Sequence, residues 1–186
     1  MEKEIFNTGD CVLITHNLFE PEAMEEGKPK RFDIFVRCPK DAPEVLEMIG
    51  RIKAKEKEDF KGVKGLAQAV QDGDASEYED SHGHFVFRAS VPESFGRKPR
   101  IFEMVDGQVK IVTDPARIHR GNVVRISYSL YSYPAVFKPT MKRGVGIDLQ
   151  NVFLVEQGEA PASRVTDAQA AAQFGLKLSE DPLDNV

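Results

Sequence analysis

The chain alternates between apolar β-type runs and charged, turn-rich breaks. Cys11-Val-Leu-Ile-Thr-His-Asn-Leu-Phe19 is apolar and β-branched, and it predicts a strand. Glu20 to Lys30 is charged and carries Pro21, Gly27 and Pro29, the marks of a loop. Arg31 to Cys38 alternates imperfectly as a second strand, which Pro39 ends. A helix is expected over 43–58. Val45, Met48, Ile49 and Ile52 make one apolar stripe, Asp41 is placed to cap it, Pro43 suits its first turn and Glu44 its positive end. Its other face mixes Arg51, Lys53, Lys55, Lys57 and Lys61 with Glu56, Glu58 and Asp59, the pattern of a solvated surface.

Residues 62–83 are rich in Gly, Asp, Glu and Ser and read as one long loop. Strand patterns return at His84–Ser90, at Lys98–Val105 and Gln108–Val112 around the turn pair Asp106-Gly107, at Asn122–Tyr133 and at Gly144–Val155. In the last strand the alternation of Val145, Ile147 and Leu149 gives way to Val152 and Leu154, which predicts a bulge or bend near Asn151. Gly144 and Gly146 are read as marks of barrel curvature. Five or six short strands with one helix after the second fit a small closed barrel, a mainly β fold, better than a parallel sheet built of βα units. After Gly158 the composition shifts. Residues 159–186 are expected to form a linker, a short helix near 166–174 capped by Thr166, and an acidic tail, apart from the body at 1–158.

Composition narrows the function classes. The chain has 186 residues, and its 41% hydrophobic content suffices for one core despite 30% charged residues. No run of 18 apolar residues occurs, and the start Met1-Glu2-Lys3-Glu4 is charged, so an intracellular protein off the membrane is expected. The net charge of −5 is unevenly placed. Residues 144–186 hold two basic residues, Arg164 and Lys177, against seven acids, and so carry all of it. The remaining body is neutral and free to present a basic face. Cys11 and Cys38 are read as two free, half-buried thiols, because two cysteines fall short of a disulfide framework. Cys11-x4-His16 is not a zinc-finger spacing and no CxxC occurs, so no metal and no cofactor are expected.

Phosphate loops, nucleophile elbows, HExxH and dinucleotide fingerprints are absent, so an enzyme is not expected. What stands out is an interleaving of aromatic and basic residues: Arg125, Tyr128, Tyr131, Tyr133, Phe137, Lys138, Lys142 and Arg143. Tyrosine rings stack on bases of any sequence while Lys and Arg follow the phosphates. Side chains alternate along a strand, so Tyr131 and Tyr133 share a face, with Arg125 if pairing is regular, and Tyr128 points the other way. In the other reading Tyr128 is core and the rest are ordinary barrel tyrosines. Further basic clusters are Arg97, Lys98 and Arg100 with Arg88, and Lys28, Lys30 and Arg31; together they could line one groove.

The order Leu18-Phe19-Glu20-Pro21, charged loop, Arg31–Cys38, Pro39-Lys40-Asp41 and helix resembles the phage single-stranded DNA-binding protein family. The segments Val124–Tyr133 and Arg143–Gly158 are similar to that family's late strands, and the resemblance spans roughly residues 8–158. It implies an OB-fold barrel with a long helix after the second strand. It further implies sequence-independent binding of single-stranded DNA in phage replication or recombination, in the cytoplasm of an infected bacterial cell. The expected stacking residues are Tyr131, Tyr133 and Phe137. The expected phosphate contacts are Arg31, Arg88, Lys98, Arg100, Arg125, Lys138, Lys142 and Arg143. A partner-binding acidic tail would use Glu180, Asp181 and Asp184 to meet replication proteins, although it is poorer in acids than the family's and lacks its terminal Phe. The rival readings are an interaction or assembly protein using the barrel as a scaffold, and a binder of RNA or duplex DNA. The helix 43–58, an open barrel edge and the 166–174 helix are equal candidates for a homodimer contact.

Overall fold

The computed structural model describes residues 3–133 and 142–159. In chain order the strands are β1 (Phe6–Asn7), β2 (Cys11–His16), β3 (Arg31–Pro39), β4 (Val70–Asp72), β5 (His84–Pro92), β6 (Arg100–Val105), β7 (Gln108–Ile111), β8 (Val123–Tyr133) and β9 (Gly144–Glu156). The one α-helix of the described residues, α1 (Pro43–Asp59), follows β3.

Five strands close on themselves in the cycle β2–β3–β5–β9–β8 and back to β2. All neighbours are antiparallel except β5 and β9, which meet in parallel at Ser90 and Asp148. The long β9 makes closure feasible, because its first half faces β5 and its second half takes up the parallel strand β6. β6 and β7 form a hairpin off the barrel, turning at Asp106 and Gly107, whose φ of 51° and 74° lie in the left-handed region that tight hairpin turns use. Alternation fills the interior with Leu13, Ile34, Val36, Ala89, Val91, Val124, Ile126, Tyr128, Ile147 and Leu149, all buried. The stripe of α1 joins this core through Val45, Met48 and Ile52, and the helix packs on β8 and β9.

Several expectations need correction. Ala42, not Asp41, is the N-cap of α1, and no side chain caps the helix. The long loop at 62–83 contains β4, which pairs with β5, and β1 extends the β2 edge along β8. The strand from Cys11 ends at His16 rather than Phe19. Cys11 and Cys38 are joined in a disulfide, with Cα atoms 4.5 Å apart, instead of standing as free thiols. The β2–β3 register, with Val12 opposite Arg37, brings the two cysteines face to face, and sequence spacing carries no trace of that. The expected irregularity in the last strand is present: Ser127 pairs with Asn151 and Tyr128 with Leu149, leaving Gln150 as the extra residue.

Candidate nucleic-acid interface

Strand alternation sorts β3 into an inward row (Phe32, Ile34, Val36, Cys38) and an outward row (Arg31, Asp33, Phe35, Arg37). The register sets Asp33 against Ser90 and Phe35 against Arg88 on β5. Ser90 meets Asp148 on β9, whose outward neighbours Gly146 and Gly144 face Tyr131 and Tyr133 on β8. One outer surface therefore runs from Phe35 and Arg88, through Arg31 and Ser90, to the two tyrosines. The loop 17–30 flanks this surface on one side, and Lys142 and Arg143 precede β9 at its other end.

Hydrogen bonds stitch the surface together. Arg31 donates from Nε to Ser90 Oγ at 3.1 Å and from Nη2 to Tyr131 Oη at 3.4 Å. The Tyr131 and Tyr133 rings lie 6.0 Å apart at 47°. Burial, with Tyr131 beside it, pushes the Tyr133 phenol above its usual range, so it remains a neutral hydroxyl at physiological pH. Arg88 donates from Nε to Asp33 Oδ2 at 3.0 Å, and its guanidinium sits 5.5 Å from the Phe35 ring centre. Beside the tyrosines, buried Asp148 is held by Arg97 Nη2 at 2.8 Å, Gln150 Nε2 at 3.0 Å and Ser129 Oγ at 3.2 Å. Asp33 thus neutralises part of the charge of Arg88, and Asp148 that of Arg97. Arg31, with two neutral partners, keeps its charge available.

Of the residues expected from the sequence, Arg31, Arg88, Tyr131 and Tyr133 come together here. Tyr128 points inward and is fully buried, as alternation predicts. Lys142 and Arg143 are exposed beside the start of β9. Lys98 lies at the root of the 17–30 loop, where Nζ donates to the Phe19 carbonyl at 2.8 Å. Arg125 is not with the tyrosines. It stands six residues back along β8, opposite Phe153, and pairs with Asp10 at 2.5 Å. Arg100 opens β6 opposite Asn151, also away from the tyrosine pair. Phe137, Lys138, Glu180, Asp181 and Asp184 lie outside the described residues. Sequence reasoning missed Phe35, although the same alternation that groups Arg31 with Arg37 puts Phe35 between them on one face. It missed the Asp148 network because no local pattern marks a contact between β5, β8 and β9. Among the described residues, no group of three or more His, Cys, Asp or Glu side chains is placed to hold a metal ion.

In chain order the barrel staves are β2, β3, β5, β8 and β9, and in space they run first, second, third, fifth, fourth. A five-stranded barrel of this order and pairing defines an OB-type fold. The chain belongs to the phage family described as the Enterobacter phage Enc34 ssDNA-binding protein, whose model matches residues 7–184. Among solved structures it is similar to the single-stranded DNA-binding protein from bacteriophage Enc34 in complex with ssDNA. That match has a TM-score of 0.66 and 17% identity, over 84% of this chain and 88% of that one. It is also similar to gp2.5, a single-stranded DNA-binding protein encoded by bacteriophage T7, with a TM-score of 0.62 and 16% identity over 88% and 92% of the two chains. No curated protein matches the sequence. No helix among the described residues is long and apolar enough to cross a membrane.

Proposed function

We propose that this protein binds single-stranded DNA without sequence preference and without chemistry, on the outer face of β3 and β5, in phage DNA replication or recombination inside the infected bacterial cell. The observation that carries the reading is the Tyr131–Tyr133 pair tied to Arg31, which sets stacking surfaces beside an uncompensated cation. Phe35 extends the stacking surface, and Arg88, Lys98, Lys142 and Arg143 supply phosphate contacts along it; Phe137 is a further stacking candidate and Lys138 a further phosphate contact by the family resemblance. Arg100 and Arg125 would take part only if the strand continues past Gln150 along β9. The family supports this, since the Enc34 protein has been crystallised with ssDNA.

The test is fluorescence anisotropy of labelled oligo-dT at about 50 and 200 mM salt, with duplex and RNA of equal length as competitors. Tight, salt-sensitive binding that prefers single-stranded DNA is the expected result. No binding at micromolar protein would turn the reading to a scaffold or assembly protein. In the same reading the acidic tail, with Glu180, Asp181 and Asp184, competes for the groove and meets replication proteins. Removing residues 176–186 should then tighten oligo-dT binding at low salt, and unchanged affinity would sink the competition.

A further inference from the structure

Gly146 meets none of the usual demands for a glycine. Its backbone is outside the left-handed region that favours glycine, so an alanine would fit the main chain. What excludes a side chain is Tyr131. A Cβ built on Gly146 would lie 2.5 Å from Cε1 and 2.6 Å from Oη of that ring, and nearer still to Cζ. The phenol therefore lies across the bare backbone of its cross-strand partner. Its hydroxyl reaches Arg31 and its edge meets Tyr133. The ring is held on its Gly146 side and at its hydroxyl, and the side chain stays half-exposed.

Resting on the single-stranded DNA reading, we propose that Gly146 is a positioning residue for base stacking: it seats Tyr131 flat on β9, and Arg31 pins the seated ring. An alanine would lift the ring by about 1 Å to reach ordinary contact distance. The Arg31 bond, already 3.4 Å long, would break. Gly144 is a mixed case, because its added Cβ would meet the Ala67 carbonyl oxygen at 3.1 Å and Ala67 Cβ at 3.2 Å as well as the Tyr133 hydroxyl at 2.8 Å.

The experiment measures labelled oligo-dT binding by the full chain, by G146A, by Y131A and by the G146A/Y131A double variant, with thermal unfolding of each. G146A is expected to weaken binding about tenfold, within the range of one stacking contact. The slope of log K against log salt should stay unchanged, because no phosphate contact is removed. Added to Y131A, the same alanine should cost nothing further, since no ring remains to displace. Native affinity in G146A, or losses that multiply in the double variant, would overturn the seat. If G146A fails to fold, the double variant decides: folding and binding like Y131A supports the seat, and failure to fold refutes it. If the native chain itself does not bind oligo-dT, the DNA-binding reading falls and the seat falls with it, a pattern distinct from native binding that G146A leaves intact.

Discussion

Arg31 and Arg88 belong to adjacent strands of one face but differ in what holds them. Arg31 is fixed by a serine and a tyrosine, both neutral, so a bound phosphate would meet its whole charge. Arg88 already spends its charge on Asp33, a carboxylate only 3% exposed. Removing them should therefore fail in different ways. Arg31→Ala is expected to weaken oligo-dT binding and lower the salt slope by about one, with little change in melting temperature. Arg88→Ala is expected to change the slope less but to strand a buried charge, at a cost of about 3 kcal/mol in urea unfolding. Equal slopes and equal stabilities would refute this division. At this scale the sequence showed residue types and faces. It put Tyr131 and Tyr133 together and sent Tyr128 inward, because alternation is a local rule. It did not show that Asp33 and Asp148 sit under the arginines, since those contacts join strands far apart in the chain.

Among the elements, the segment around β4 is held to the barrel by ion pairs as well as by its pairing with β5. Lys40 lies between Asp72 and Asp74, Asp74 accepts from the Gly83 amide at 2.7 Å, and Asp80 bridges Arg37 and Arg120. The Lys40 ammonium holds the Asp72 and Asp74 carboxyls below their usual range, and Arg37, then Arg120, do so for Asp80. A lowered folded-state pKa stabilises above the unfolded value and is lost as pH falls through the lowered one. Below about pH 4 the segment should loosen ahead of the core strands. The Asp74 and Gly83 amide shifts should therefore move before those of β3 and β5, and a single concerted change would count against it. Strands and helix were largely legible in the sequence because each carries its own period. β4 was not, because three residues in a polar run become a strand only by pairing with Phe85–Phe87.

Across the whole molecule, the barrel is closed by hydrogen bonds and bound covalently at one seam. The Cys11–Cys38 bridge closes a loop of 27 residues between the first two staves. Chain entropy assigns such a loop about 3.5 kcal/mol of stability. Reduction by dithiothreitol should lower the melting temperature, while the β2–β3 register persists, since nine-residue pairing to β5 holds β3 from its other side. No shift on reduction would show that the bridge does not contribute. The disulfide leaves the proposed DNA-binding face untouched, because both cysteines lie in the barrel interior, 1% exposed.

The seven longer strands, the helix after the second barrel strand, the DG hairpin, the bend near Asn151 and the family resemblance were legible along the chain. Each depends on period, turn chemistry or residue order, all of which are written along the chain. That Cys11 meets Cys38, that Asp148 anchors Arg97, that Arg125 stands away from the tyrosines and that Gly146 lies under Tyr131 came from the folded chain alone. The physical reason is shared. Closing a barrel fixes a register between strands distant in sequence, and a register is a property of two strands that neither one encodes alone.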